Sequence, residues 1–265
     1  MSICIINLKY MSIMSRVQFA KEMIQFLIED SYCKLNQFFP CTTYSKNKIP
    51  LYTESVEILL QFIEANNYGN LILPERVTTS SGAVLILIFK HFVIKIFNTQ
   101  KTWYKVSTIL SKLKHSNNIV SIKKAISKKK FHAISTEKLI PIVHHDQYGA
   151  HLIKKFDHNL VLKLYRDISK ALSDIHMIGY QQGDCTWDNI GIIGENFVLF
   201  DFNCANPLKS YNKSSDVPQL IKSSVFNLGH NNSHYTEEKT YEFLAKLNKS
   251  NFMDGIQLYN NIMYK

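Results

Sequence analysis

"IHMIGYQQGDCTWDNIGIIGENFVLFDFN", residues 175–203, places three oxygen-bearing side chains in an order that decides how the chain is read. A helical stretch ends at Gly179, Asp184 follows in a loop, Asn189 stands five positions later, and the apolar run "FVLF" stops at Asp201. Phosphoryl transfer has a use for such a set. It needs a carboxylate to orient the acceptor hydroxyl and oxygen ligands that hold magnesium on the phosphates. Magnesium keeps near-octahedral oxygen coordination with few protein ligands, so one Asp and one Asn beside phosphates and water suffice. A lone D-x(4)-N is more often an ordinary turn, and its weight comes from the residues around it.

Those surroundings are read block by block. "TESVEILLQFIEANN" from Thr53 carries apolar residues at helical spacing, with Thr53 as N-cap and Glu54 and Glu57 in the first turn. Residues 16–38 show the same spacing, and a Pro- and Lys-containing linker at 40–50 joins the two. From Glu75 the texture changes. "VTTSSGAVLILIF" and "HFVIKIF", parted by Lys90 and His91, predict an antiparallel hairpin. "TQKTWYKVSTILSKLKHSNN" predicts a helix over 99–118, and "IVSIKKAISKKKFHAISTEKLI" predicts strands joined by a Lys-rich turn. "HNLVLKLYRDISKALSDIHMIG" is a strongly amphipathic helix with Gly179 as its C-cap.

The segment 175–203 resembles the catalytic segment of the protein kinase superfamily, whose pattern is H-x(7)-D-x(4)-N, a short hairpin, then D-F-G. Here His176 precedes Asp184 by eight positions and Asp201-Phe202 closes the strand. The resemblance implies Asp184 as catalytic base, Asn189 and Asp201 as magnesium ligands, and ATP as phosphate donor. Upstream, "FVIKIF" resembles the strand whose Lys neutralises the phosphates, which assigns Lys95 to that role. "VTTSSGAV" matches the Gly-rich turn in part, through Gly82 and Val84, while "ISTEKL" resembles the hinge and places Glu137 near the adenine edge. "SSDVPQLIKSSVF" resembles the start of the large C-lobe helix, making Asp216 an anchor for the catalytic loop.

The expected fold is therefore α+β and bilobal. A helical extension spans 1–74 and a kinase-like domain spans 75–265, with an N-lobe at about 75–138 and a C-lobe at about 139–265. The expected activity is that of a divergent serine/threonine protein kinase, similar to those of large DNA viruses, with a protein substrate and a nucleotide as partners. Departures from the pattern keep two alternatives open: a pseudokinase scaffold, and a kinase of sugars or lipopolysaccharide-type acceptors. No acidic residue lies between Asn98 and Val120 to pair with Lys95. The glutamates of the 53–67 stretch are the substitutes on offer. Gln182 and Gly183 replace the His and Arg of H-R-D, Thr186 replaces the Lys of protein-serine kinases, and Asn203 replaces the Gly of D-F-G. Without that Arg, activation by a phosphorylated loop loses its clamp.

Composition bounds the rest. A chain of 265 residues, 46% hydrophobic, can bury a sizeable core. Its formal charge of +10 favours polyanionic neighbours, yet the lysines are scattered and no aromatic-basic interleaving points to nucleic acid. The "SKKKFH" run at 127–132 reads as a solvated turn. Five cysteines without C-x-x-C spacing fit free thiols in a reducing compartment. Lys9 interrupts the apolar N-terminus and the longest apolar run, 83–89, is far shorter than the ~20 residues of a membrane span, so no secretion and no membrane association are expected, and the location is cytoplasmic.

Overall fold

A computed structural model describes residues 18, 22, 53–69, 72, 74–80, 84–129, 131–146, 149–154, 156, 158–209 and 214–229. Of the helical reading of 16–38 only Gln18 and Glu22 are described, both helical, and Gly82 lies outside the described residues. The architecture is α+β, with antiparallel sheets and separate helices. The chain divides into two compact units, Met1–Ser107 with Ile122–Lys138 and Thr108–Ser121 with Leu139–Lys265.

Unit 1 is built on five strands. After helix α1 (Thr53–Asn66) come β1 (Arg76–Ser80), β2 (Val84–Ile88) and β3 (Phe92–Phe97), then helix α2 (Gln100–Lys112), then β4 (Ile122–Lys128) and β5 (Phe131–Glu137). The sheet order is β1-β2-β3-β5-β4, antiparallel throughout. The expected hairpin is β2 and β3, with Ile86 opposite Lys95. Strand alternation sends Ile94 and Ile96 to one face and Lys95 to the other. On the first face they join a buried cluster with Leu85, Leu87 and Ala133, closed by Ile58, Leu59, Phe62 and Ile63 of α1. Those four positions fall on one side of a 3.6-residue helix, and each contributes about 1.5–3 kcal/mol by leaving water.

Polar contacts fasten α1 to the same sheet. Ser135 Oγ donates to Asn66 Oδ1 at 2.6 Å, and Lys124 Nζ reaches the carbonyl of Ala65, a cation at a helix C-terminus. The helix therefore lies on the sheet face away from Lys95. On the Lys95 face, Trp103 of α2 donates its indole N–H to the carbonyl of Ala133 at 3.0 Å and leans on the His132 ring. At the β4 edge, Lys123, Lys124 and Lys128 are exposed, an arrangement that discourages pairing with a further strand.

Helix α2 ends at Lys112, six residues before the expected Asn118. Unit 2 takes the chain from Thr108, within this helix, to Ser121 and again from Leu139. Its strands and helices there are β6 (Ile140–Pro141), the hairpin β7 (Val143–Asp146) and β8 (Gly149–Leu152), then helix α3 (His158–Met177), β9 (Tyr180–Gln181), β10 (Ile190–Ile193), β11 (Asn196–Leu199), β12 (Asn206–Pro207) and helix α4 (Asp216–Gly229). Leu199 N–H donates to Asn118 O at 2.9 Å and Val120 N–H donates to Leu199 O at 3.0 Å, so 118–120 runs beside β11 as extended chain. Sheet pairing overrides helical periodicity there. No helix among the described residues is long and apolar enough to cross a membrane.

Candidate active site

Local structure brings the loop 182–189 to a fixed place in unit 2. Helix α3 buries Val161, Leu164, Tyr165, Ile168, Ala171, Leu172 and Ile175, the stripe its sequence predicts. Gly179 ends it at φ +80°, a conformation that favours glycine, and β9 then pairs with β12. That pairing lays residues 182–184 against 201–206. Gly183 also has positive φ, +82°, and a Cβ there would collide with the carbonyl oxygen of Cys204. An Arg, the residue of the family pattern, has no room at this position.

Asp216 anchors the loop from the first position of α4. Its carboxylate is wholly buried and accepts main-chain N–H groups of Gln182 at 3.0 Å and Gly183 at 2.8 Å, while His176 Nε2 lies 2.9 Å from Oδ2. A buried charge is tolerable because donors surround it, and the N-terminus of its own helix adds favourable dipoles. Residues that the sequence motif does not mark complete the hold. Gln219 accepts from Cys185 N–H and donates to Gly183 O; Ser223 accepts from Trp187 N–H; Ser224 accepts from Trp187 Nε1 at 2.7 Å. They sit at helical spacing behind Asp216, the one sequence signal that could have found them. Trp187 is fully buried against Phe156, so it packs and does not face a ligand.

Within this frame Asp184 and Asn189 meet directly. Asn189 Nδ2 donates to the main-chain oxygen of Asp184 and to its carboxylate Oδ2, both at 2.8 Å. With the amide nitrogen so engaged, Oδ1 is the atom Asn189 has for a cation. Asp201 follows β11 at φ +58°, a strained setting that Asp tolerates better than most residues, and its Oδ1 accepts the N–H of Asn203 at 3.3 Å. Gln182 joins the two segments, its Oε1 accepting from Asp184 N–H at 2.6 Å and its Nε2 donating to Asp201 O at 2.8 Å.

Electrostatics agree with this closeness. Burial pushes the Asp184 carboxyl up, the Asn189 hydrogen bond opposes it, and the charges of Asp201 and Asp188 push it further up. A half-buried carboxylate with a raised pKa is a better proton acceptor than a free one. Burial likewise raises the Cys185 thiol, which keeps it protonated and inert. A carboxylate from Asp201 and an amide oxygen from Asn189 are hard oxygen donors, and the donor set fits magnesium.

The other candidate residues belong to unit 1. Lys95 stands half-buried in the middle of β3 between Ile86 and Ile134, Glu137 closes β5, and Val84 opens β2 opposite Ser80. Among the expected residues the structure thus brings together Asp184, Asn189 and Asp201. Comparison by sequence returned no matching family model and no similar curated protein.

Proposed function

We propose that the protein is an ATP- and magnesium-dependent phosphotransferase of the protein kinase type, with the two units as its lobes and a hydroxyl as acceptor. The observation that carries this reading is the contact of Asn189 with Asp184, tied through Gln182 to Asp201. Two polar residues of one loop and a third from the end of β11 are linked in the order phosphoryl transfer needs.

Asp184 orients the acceptor hydroxyl and takes up its proton as the phosphoryl group leaves ATP. Asn189 holds the Asp184 carboxylate in place through Nδ2, and its Oδ1 and the Asp201 carboxylate would hold the metal. Magnesium, when bound, supplies the positive charge that offsets the phosphates. By resemblance alone, Lys95 is assigned to the nucleotide phosphates and Gly82, Val84 and Glu137 to the nucleotide. The acceptor proposed is Ser or Thr of a protein.

The test is transfer of labelled γ-phosphate from magnesium-ATP to a mixed protein pool, comparing the wild type with Asp184→Asn. Loss of transfer in a folded variant sustains the reading. Transfer to small sugars but not proteins changes the acceptor. A folded wild type that neither binds ATP nor transfers phosphate leaves a scaffold in place of an enzyme.

A further inference from the structure

Strand β4 ends the five-stranded sheet of unit 1, and β5 is its one strand neighbour among the described residues. In an antiparallel pair the main-chain N–H and C=O of alternate residues point away from the partner, so the outer side of β4 carries donors and acceptors in alternation. A register irregularity between Ile122 and Lys124 confines the regular ladder to 124–128. Within it, alternation sets Lys124, Ile126 and Lys128 on the face toward α1, where Ile126 packs against the apolar cluster and keeps part of its surface exposed. Lys124 and Lys128 stand exposed on either side of it, about 13 Å apart at the rise of a strand. Between Glu75 and Glu137 the chain has no carboxylate at all, yet it has eleven lysines and Arg76. The positive charge of the sequence is therefore concentrated in the stretch that forms this sheet and α2.

We propose that the β4 edge takes an extended acidic segment of a partner protein as a sixth strand. The segment has the pattern acidic-x-apolar-x-acidic: its carboxylates meet Lys124 and Lys128, and its apolar residue covers Ile126. Such docking needs no nucleotide and is independent of phosphate transfer. Charge selects the occupant, because directly opposed cross-strand residues attract when their charges differ and repel when they match. A second copy pairing antiparallel about Ile126 would set Lys124 against Lys128. The lysines that keep copies apart are thus the ones that admit an acidic strand. A polypeptide also answers both kinds of main-chain group on the edge, as added strands do. The phosphates of a nucleic acid accept hydrogen bonds without donating any, which would leave the outward carbonyls of β4 unmatched.

The full chain is titrated with a fluorescent peptide whose core is Glu-Thr-Val-Thr-Glu, and anisotropy reads the binding. Binding is expected to weaken with added salt, and a peptide with the core Lys-Thr-Val-Thr-Lys is expected not to bind. The acidic peptide with methylated main-chain nitrogens keeps its charge and loses its donors, and is expected to bind ~10-fold more weakly. Lys124→Glu combined with Lys128→Glu is expected to weaken binding ~10–100-fold. Lys128→Glu alone leaves the contact of Lys124 with α1 in place and is expected to show part of that loss. Thermal melts check that both variants fold. Hydrogen exchange over 124–128 is expected to slow when the peptide is added.

Equal binding of the methylated and unmethylated peptides would mean charge attraction without strand addition, and overturns the proposal. Binding that the lysine variants leave unchanged overturns it too, as does a folded wild type that binds no acidic peptide. A single-stranded oligonucleotide that binds more tightly than the peptide through the same two lysines assigns the edge to nucleic acid instead. Self-association of the wild type that the variants abolish assigns it to a second copy. Phosphate transfer by Lys128→Glu is expected to match the wild type, so a failure of docking and a failure of the phosphotransferase reading are told apart.

Discussion

Asp216 Oδ1 accepts the main-chain N–H of Gly183 at 2.8 Å, across 33 positions of sequence. The carboxylate also serves Gln182 and His176, and no part of it reaches solvent. Asp216→Ala leaves two buried N–H donors without an acceptor. A loss of about 3–5 kcal/mol is expected, of the size seen when one partner of a buried charged network is removed. Urea unfolding of the two proteins measures it, and a loss below about 1 kcal/mol would show that the loop does not depend on this anchor.

Gly183 is the other half of that relationship. Gly183→Ala carries both the positive-φ penalty and a collision with Cys204 O, and is expected to cost more than the ~1–3 kcal/mol of a strained backbone setting alone. Gly183→Arg, which would restore the family pattern in sequence, is expected to be worse. Thermal melts of the two variants rank them. An Arg variant as stable as wild type would mean that the loop has another backbone course.

The raised pKa of Asp184 makes a pH prediction whose sign can be worked out. A carboxyl with a folded pKa above its unfolded value favours folding below the unfolded pKa, and that contribution is lost as pH rises through the folded pKa. At pH 7 the charged Asp184 therefore weakens the fold, and Asp184→Asn is expected to melt a few degrees higher than wild type at pH 7. Below the ordinary value of 3.8 both side chains are neutral and the difference should disappear. A gain that persists at pH 3 would assign it to packing instead of charge.

Asn189→Asp tests what the amide contributes beyond an oxygen for the metal. The change sets a second carboxylate against Oδ2 and the main-chain oxygen of Asp184, where Nδ2 now donates. The Asp184 pKa is pushed higher by a like charge, so the acid limb of activity should move to higher pH. Turnover at pH 7 is expected to fall on the order of 10²-fold despite the added negative ligand. A pH–rate profile beside that of the wild type decides it.

In unit 1 the sheet face under α1 makes removal of residues 1–74 a stability experiment. Without Ile58, Leu59, Phe62 and Ile63 the cluster containing Ile94 and Ile96 faces water. Phe62→Ala is expected to cost about 3–5 kcal/mol, and a chain beginning at Glu75 to lose protease resistance in its sheet. A truncated chain that resists protease like the full one would make α1 a true appendage.

Much of this was legible in the residues themselves. The alternation of "FVIKIF" places Lys95 opposite Ile94 and Ile96, the stripe of 158–177 predicts α3, and Gly179 marks its end, because period and turn chemistry are local properties. The D-x(4)-N spacing and the strand before Asp201 located the candidate site for the same reason. The pairing of β7 with β8 went unread, although "HDQYGA" carries turn residues between two short strand-like runs. Other features depend on contacts between distant segments and leave no local trace. That the chain around Ile119 runs beside β11 was decided by Leu199, whose N–H and carbonyl pair with Asn118 and Val120. Which face of the sheet α1 covers was decided by the apolar cluster it closes. Gly183 reads in sequence as a lost arginine, yet the carbonyl of Cys204 leaves no room there for a side chain; Gln182 reads as a lost histidine, yet its amide spans from Asp184 to Asp201. Residue types and spacings determined which chemistry is available, while hydrogen bonds across 19 to 40 positions determined which groups hold it in place, since a buried donor takes its acceptor from wherever the fold brings one.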